Sequence, residues 1–156
     1  MKNKRLPYTS TSRAINGYSD SKIAKSERAD CVVRAIASAS DMTYDKAHRW
    51  VADKFNRKPK KGTHGLPNGM DKMSISGERM SRKKVKTIPS NNLKTNGGKS
   101  RMTVGTFVKQ FNKGTYILRV TGHAFTIKDG VVVGNFEDSV KIKRIVKNAW
   151  RIGVTV

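Results

Sequence analysis

The chain has 156 residues and a mass of 17.4 kDa, enough for one domain and too little for two full ones. Lys and Arg number 33 against 11 Asp and Glu, a formal net charge of +22, and hydrophobic residues are 36% of the chain. That balance predicts a modest core. It speaks against a free enzyme of small neutral metabolites and for an anionic polymer or surface as partner. A single cysteine, Cys31, excludes an intramolecular disulfide and a Cys-rich zinc site, and no metal or other cofactor is expected. No apolar run approaches the roughly 18 residues of a membrane span. The basic start, Met1 to Arg13, lacks the apolar stretch of a secretory signal.

Residues 1–26 are polar and rich in Ser, Lys and Arg, and read as a basic arm with a short helix near Ser21–Lys25. Such an arm is either solvated or ordered on a partner. Asp30 precedes the first apolar run, Cys31 to Ala37. As an N-cap its carboxylate would accept from the free N–H groups of the first turn. The run has little polar relief except Arg34, so a mostly buried helix is expected, ending near Ser38–Asp41. Thr43 caps a second helix, Tyr44 to Asn56, with Tyr44, Ala47, Val51 and Phe55 on one face.

Residues 56–101 differ in kind. They hold 13 Lys or Arg against Asp71 and Glu78, three of the four prolines and six glycines, and show no convincing period. They read as a long basic insertion or loop, at about 57–101, inside a single domain spanning 27–156. A structureless stretch of that length is uncommon and usually functional or disordered.

Order returns at Thr103, which caps a short helix with Val104, Phe107, Val108 and Phe111 on one face. Asn112-Lys113-Gly114 is expected to end it. Strands follow at Thr115–Val120, His123–Lys128 and Val131–Phe136, the last two joined by an Asp129-Gly130 hairpin turn. Val140–Val146 and Ala149–Val156 complete the sheet. Helices first and a small antiparallel sheet afterwards make the fold α+β. Trp50, Phe107, Phe111, Tyr116 and Trp150 are expected to pack the core.

Two residues carry candidate chemistry. Cys31 lies at the first turn of a helix, where partial positive charge stabilises a thiolate. The competing reading is a small buried hydrophobe. His123 opens a sheet strand after Gly122 and is placed to serve a cysteine as general base; the competing reading is a hydrogen-bonded structural histidine. His48 reads as a surface residue and His64 as part of the basic loop, too dispersed for a metal site. A lone Cys opening a helix and a distant His opening a strand form a recognised candidate pair.

Glu27-Arg28-Ala29-Asp30-Cys31-Val32-Val33-Arg34-Ala35-Ile36-Ala37 and Tyr44-Asp45-Lys46-Ala47-His48, with Gly122-His123-Ala124-Phe125, Asp129-Gly130-Val131-Val132 and Ala149-Trp150-Arg151, resemble small phage and bacterial proteins with a papain-like cysteine peptidase fold. The resemblance covers roughly 27–57 and 102–152. It implies a papain-like fold, a Cys31–His123 dyad, and a setting in the host cytoplasm or a virion, with a viral or host protein assembly as a further partner. Such sites orient the histidine with an Asn or Asp. In a regular two-residue hairpin, His123 faces Phe136, with Gly134 and Asp138 on its face, and Asn135 points away. A bulge at Gly134 would bring Asn135 round. Both Asn135 and Asp138 are therefore candidates for the third position, and Gly134 falls where the family has an acidic residue. For the oxyanion, the Cys31 backbone N–H and the Ser26 side chain are the candidates.

The second candidate feature is the basic insertion. Arg57, Lys58, Lys60 and Lys61, then Arg79, Arg82, Lys83, Lys84 and Lys86, form clusters suited to sequence-independent contact with phosphates. No aromatic residue interleaves them, so base stacking is not expected. Two functions stay open: a cysteine peptidase or amidase carried to its target by charge, and an inactive scaffold of the same fold acting as a nucleic-acid-, ribonucleoprotein- or virion-associated binding protein.

Overall fold

The computed structural model describes residues 5–154. In chain order its elements are β1 (Tyr8–Ser10), α1 (Thr11–Ala14), α2 (Lys22–Ser26), α3 (Cys31–Ser40), α4 (Tyr44–Phe55), α5 (Leu66–Ser76), β2 (Arg79–Met80), β3 (Lys83–Thr87), β4 (Lys94–Thr95), β5 (Ser100–Arg101), α6 (Val104–Gln110), β6 (Thr115–Val120), β7 (His123–Lys128), β8 (Val131–Gly134), α7 (Phe136–Val140) and β9 (Asn148–Val154). A 3-10 turn, Ser90–Leu93, precedes β4. The fold is α+β around one seven-stranded sheet in the order β1-β8-β7-β6-β9-β3-β2, with β4 and β5 as a separate hairpin.

The sheet is mixed, not wholly antiparallel, because β1 runs parallel to β8. Tyr8–Ser10 therefore belongs to the sheet edge and not to a free arm, and Ser10 sits opposite Gly134. The 57–101 segment is also built in. Leu66, Met70 and Met73 give α5 a buried face, with Pro67 in the first turn, where its missing N–H is harmless. A Cβ on Gly69 would lie 2.3 Å from the Phe55 ring, so any other residue there would push that ring aside where α5 crosses α4. β3 pairs along its length with β9. Gly69 and Pro67 diluted the helical period in the sequence. Val140–Val146 forms no strand: α7 occupies its start and Ile145 makes one isolated bridge to Thr103. Residues 155 and 156 of the last predicted strand lie outside the described residues. The helix after Thr103 ends at Gln110, and Gly114, at φ +94°, turns the chain into β6.

The sheet separates two cores. On one face α3, α4 and α5 cover Ile117, Ala124, Trp150, Ile152 and Val85. On the other, α6 covers Tyr116, Leu118, Phe125, Ile127 and Val132. Helix α3 is buried almost all round, as its apolar run requires, and ends on Asp41 in the left-handed region. Ser38 and Thr126, both fully buried, tie it to β7: their hydroxyls lie 2.9 Å apart and Thr126 donates to the Ala35 carbonyl at 2.9 Å. This clamp sets α3 across β7 and so positions the N-terminus of one against the start of the other. Trp150 packs at the centre of the sheet and donates its indole N–H to Asp71 at 2.8 Å. Trp50 and Phe111 are only half-buried at the margins of the cores.

Candidate active site

Cys31 is the first residue of α3 and is half-buried. Asp30 occupies the N-cap position, but its side chain makes no cap hydrogen bond. It accepts instead from the Tyr44 hydroxyl at 2.7 Å and pairs with Arg34 Nε at 3.2 Å. The carboxylate expected to cap the helix is thus drawn aside, and no side-chain cap competes for the N–H groups beside the thiol. Ala29, at φ +52°, holds a left-handed conformation that costs a non-glycine residue about 1 kcal/mol or more and sets the sharp entry into α3.

His123 opens β7 directly after Gly122, whose φ of +70° forms the tight β6–β7 turn. Its Nε2 lies 2.9 Å from Oδ1 of Asp138, leaving Nδ1 as the ring nitrogen for the thiol. Asp138 is 2% exposed. It reaches His123 from α7 and not from a strand, because the chain leaves the sheet after Gly134 and turns into a helix at Asn135. The Asn135 backbone N–H donates to Asp138 Oδ2 at 2.9 Å. Arg144 Nη2 donates to Oδ1 at 3.0 Å, with its guanidinium 5.3 Å over the Phe125 ring. Every oxygen of the carboxylate is fixed. Gly134 is what makes this possible: a Cβ there would lie 2.4 Å from Asp138 Oδ2.

Of the two candidates for the third position, the structure brings Asp138 to the histidine and not Asn135. No bulge rotates Asn135 inward; the hairpin keeps its regular register, with Thr126 opposite Val133. The Asn135 side chain accepts from Arg34 Nη1 at 2.8 Å instead. Thr11, Cys31, Arg34, His123, Asn135 and Asp138 line one small cleft. Thr11 arrives there because β1 ends beside Gly134, so the predicted arm supplies a wall of the site. Ser26 is exposed and donates to the Ile23 carbonyl; it does not reach the cleft.

The electrostatics favour an ion pair. Burial opposes charge on Cys31, but a hydrogen bond from His123, the Ala124 backbone N–H and the charges of His123 and Arg34 outweigh it and hold the thiol below its ordinary value. Burial likewise opposes the imidazolium, yet the Asp138 carboxylate beside Nε2 and the Cys31 thiolate raise His123 from 6.5 to about 9. Asp138 is held down against its burial by His123, Asn135 and Arg144. The protons belong to the coupled set more than to any one residue.

A second polar cluster braces the segment leading to Cys31. Glu27 accepts from Arg57 Nη1 at 2.7 Å and from the Lys60 backbone N–H at 2.6 Å, and lies 2.5 Å from His48 Nε2. Arg57 also donates to the Arg28 carbonyl at 3.2 Å. Burial would raise Glu27, but these donors bring it down to about 2. Arg57 is 4% exposed and is therefore a buried structural cation, not a residue free to meet a nucleic acid. His48 belongs to this cluster and not to the surface. Lys83 turns to Asp41 at 2.7 Å. Lys58, Lys60, Lys61, Arg79, Arg82, Lys84 and Lys86 are exposed.

Among the described residues no group of three or more His, Cys, Asp or Glu could hold a metal ion, and no helix is long and apolar enough to cross a membrane. No family model, curated protein or solved structure matches the chain.

Proposed function

We propose that the protein is a papain-like cysteine hydrolase of the phage type, a peptidase or amidase, whose basic surface carries it to a polyanion in the host cytoplasm or a virion. The observation that carries this reading is the Cys31–His123–Asp138 alignment: a thiol at an uncapped helix N-terminus, an imidazole held by a buried carboxylate, and a shared cleft.

In this mechanism the Cys31 thiolate attacks an acyl carbon and the C–S bond forms. The carbonyl electrons move onto oxygen, which the backbone N–H groups at the start of α3 face. His123 gives its proton to the leaving nitrogen as the C–N bond breaks. Water then attacks the thioester, His123 takes a proton from it, and the acid leaves with the thiol restored. Asp138 keeps the ring oriented and stabilises its charged form. Arg34, paired with Asp30 and Asn135 at the cleft wall, brings positive charge near Cys31 that favours the thiolate.

The test is acylation with an activated ester such as p-nitrophenyl acetate. A burst of one p-nitrophenolate per chain, released as the acetyl group passes to Cys31 and lost in Cys31→Ser and His123→Ala, is expected. An equal burst in Cys31→Ser refutes the catalytic reading.

A second reading keeps the scaffold without catalysis, as a basic nucleic-acid- or virion-associated binding protein. The bond between Arg34 and Asn135 favours it, since both side chains occupy the cleft wall. Polyanion binding that survives Cys31→Ser, with no burst in the wild type, distinguishes it.

A further inference from the structure

Three cross-strand pairs place like charges directly opposite one another: Lys94–Arg101 alone on the separate β4–β5 hairpin, and Arg79–Lys84 and Lys86–Arg151 side by side on β2–β3 and β3–β9 of the main sheet. Directly opposed like charges destabilise a sheet, so two such pairs side by side call for an explanation. Paired residues, and residues two apart on a strand, share a face. Arg79, Lys84, Lys86 and Arg151 therefore point to one side of the sheet, the side on which Arg151's other neighbour, Tyr116, packs beneath α6. The four cations continue that face beyond the part α6 covers, and all are exposed.

Among the described residues no carboxylate neutralises them. β2, β3 and β9 contain no acidic residue, and among the described residues none of the four makes an ion pair. Lys83, on the opposite face of β3, finds Asp41. Gly153, opposite Lys84, leaves the middle of the platform open, with nothing within 4 Å of a Cβ built there. Strand spacing and the two-residue offset put Arg79 and Arg151 about 12 Å apart diagonally across β3, and Lys84 and Lys86 about 6.7 Å apart along it.

We infer that this sheet face, and not the 57–61 loop, docks the phosphate backbone of double-helical nucleic acid without reading its sequence. The inference rests on the polyanion part of the proposed function and is independent of the thiol chemistry. A protein partner is disfavoured because such interfaces centre on aromatic or apolar anchors and are depleted in Lys. The exposed large hydrophobics among the described residues are Tyr8, Ile75, Phe136, Val140 and Ile145, none of them on β2, β3 or β9. The same absence removes the stacking surface that single strands use. What remains is a flat array of cations at spacings a phosphate ladder can meet.

The test is fluorescence anisotropy of the full chain with a labelled random-sequence DNA duplex over a series of NaCl concentrations. Each phosphate contact contributes about 0.9 to the slope of log K against log salt. Lys84→Gln/Lys86→Gln is expected to lower that slope by about 1.8, whereas Lys58→Gln/Lys61→Gln leaves it unchanged. The first variant is also expected to melt higher without DNA, because the like-charge pairs are relieved, and to keep wild-type Cys31 alkylation. No wild-type binding at low salt overturns the polyanion reading as a whole. Binding whose slope ignores Lys84 and Lys86, or falls equally in the loop variant, overturns this surface alone. Competition by polyglutamate as effective as by duplex overturns the nucleic-acid assignment.

Discussion

Gly134→Ala isolates the third member of the site without touching its chemistry. The new Cβ would stand 2.4 Å from Asp138 Oδ2, where ordinary contact begins at 3.4 Å, so the carboxylate must retreat by about 1 Å. A retreat directed away from the ring takes Oδ1 from 2.9 Å to about 3.9 Å from His123 Nε2. At an effective dielectric of about 20 that weakens the attraction between carboxylate and imidazolium by about 1.5 kcal/mol, and one pH unit of titration corresponds to about 1.36 kcal/mol. His123 should therefore titrate about 1 pH unit lower than in the wild type, read from its imidazole NMR signals. The thiolate's counter-ion weakens with it, and iodoacetamide labelling of Cys31 near pH 6 should slow by about 10-fold. Gly153→Ala, where a Cβ meets nothing within 4 Å, should leave both readings unchanged. A Gly134→Ala protein that melts like the wild type and keeps its His123 titration and labelling rate would refute the argument that this glycine makes room for Asp138.

Three further outcomes follow from the same geometry. His123 is raised from 6.5 to about 9, so the stability it contributes is complete below 6.5 and is lost as the pH climbs toward 9; the melting-temperature advantage of wild type over Asp138→Asn should shrink across that window. Glu27 is depressed to about 2, so its contribution is present above its ordinary value near 4.5 and disappears as the pH falls below it. Glu27→Gln, which leaves the buried Arg57 without its counter-charge, should cost about 3–5 kcal/mol in urea unfolding. Thr126→Val should cost about 0.5–1.5 kcal/mol, because the clamp hydroxyl that bridges Ser38 and the Ala35 carbonyl across α3 and β7 is lost while Ser38 keeps the Arg34 carbonyl at 2.9 Å. An unchanged denaturation midpoint there would remove that clamp from the account.

Periodicity and capping placed α3, α4, α6 and the β6–β8 hairpins in advance, because apolar spacing, Thr43, Thr103 and Asp129-Gly130 are local signals. Cys31 and His123 were legible for the same reason: each opens its element. What the sequence concealed was tertiary. Asp138 reaches His123 because the chain leaves the sheet at Gly134, and the regular register alone would have put Asp138 on a strand. The Glu27–His48–Arg57 cluster joins residues far apart in the chain, so Arg57 read as one more basic loop residue. α5 was diluted by Gly69 and Pro67, although Leu66, Met70 and Met73 carried the signal. β1 was masked by its polar surroundings, since an edge strand paired on one side needs little apolar sequence. The like-charge platform became visible only when the β3–β9 register placed Lys86 against Arg151.

The central claim is that Cys31 exists as a thiolate because His123 makes it one. The pH dependence of Cys31 alkylation, in the wild type and in His123→Ala, tests it most directly. The account predicts a thiol that titrates well below the free-cysteine value of about 8.5 in the wild type and returns toward it when His123 is removed. A thiol with the same ordinary titration in both proteins would contradict it, and the fold would then stand as a binding scaffold whose cysteine is a buried hydrophobe.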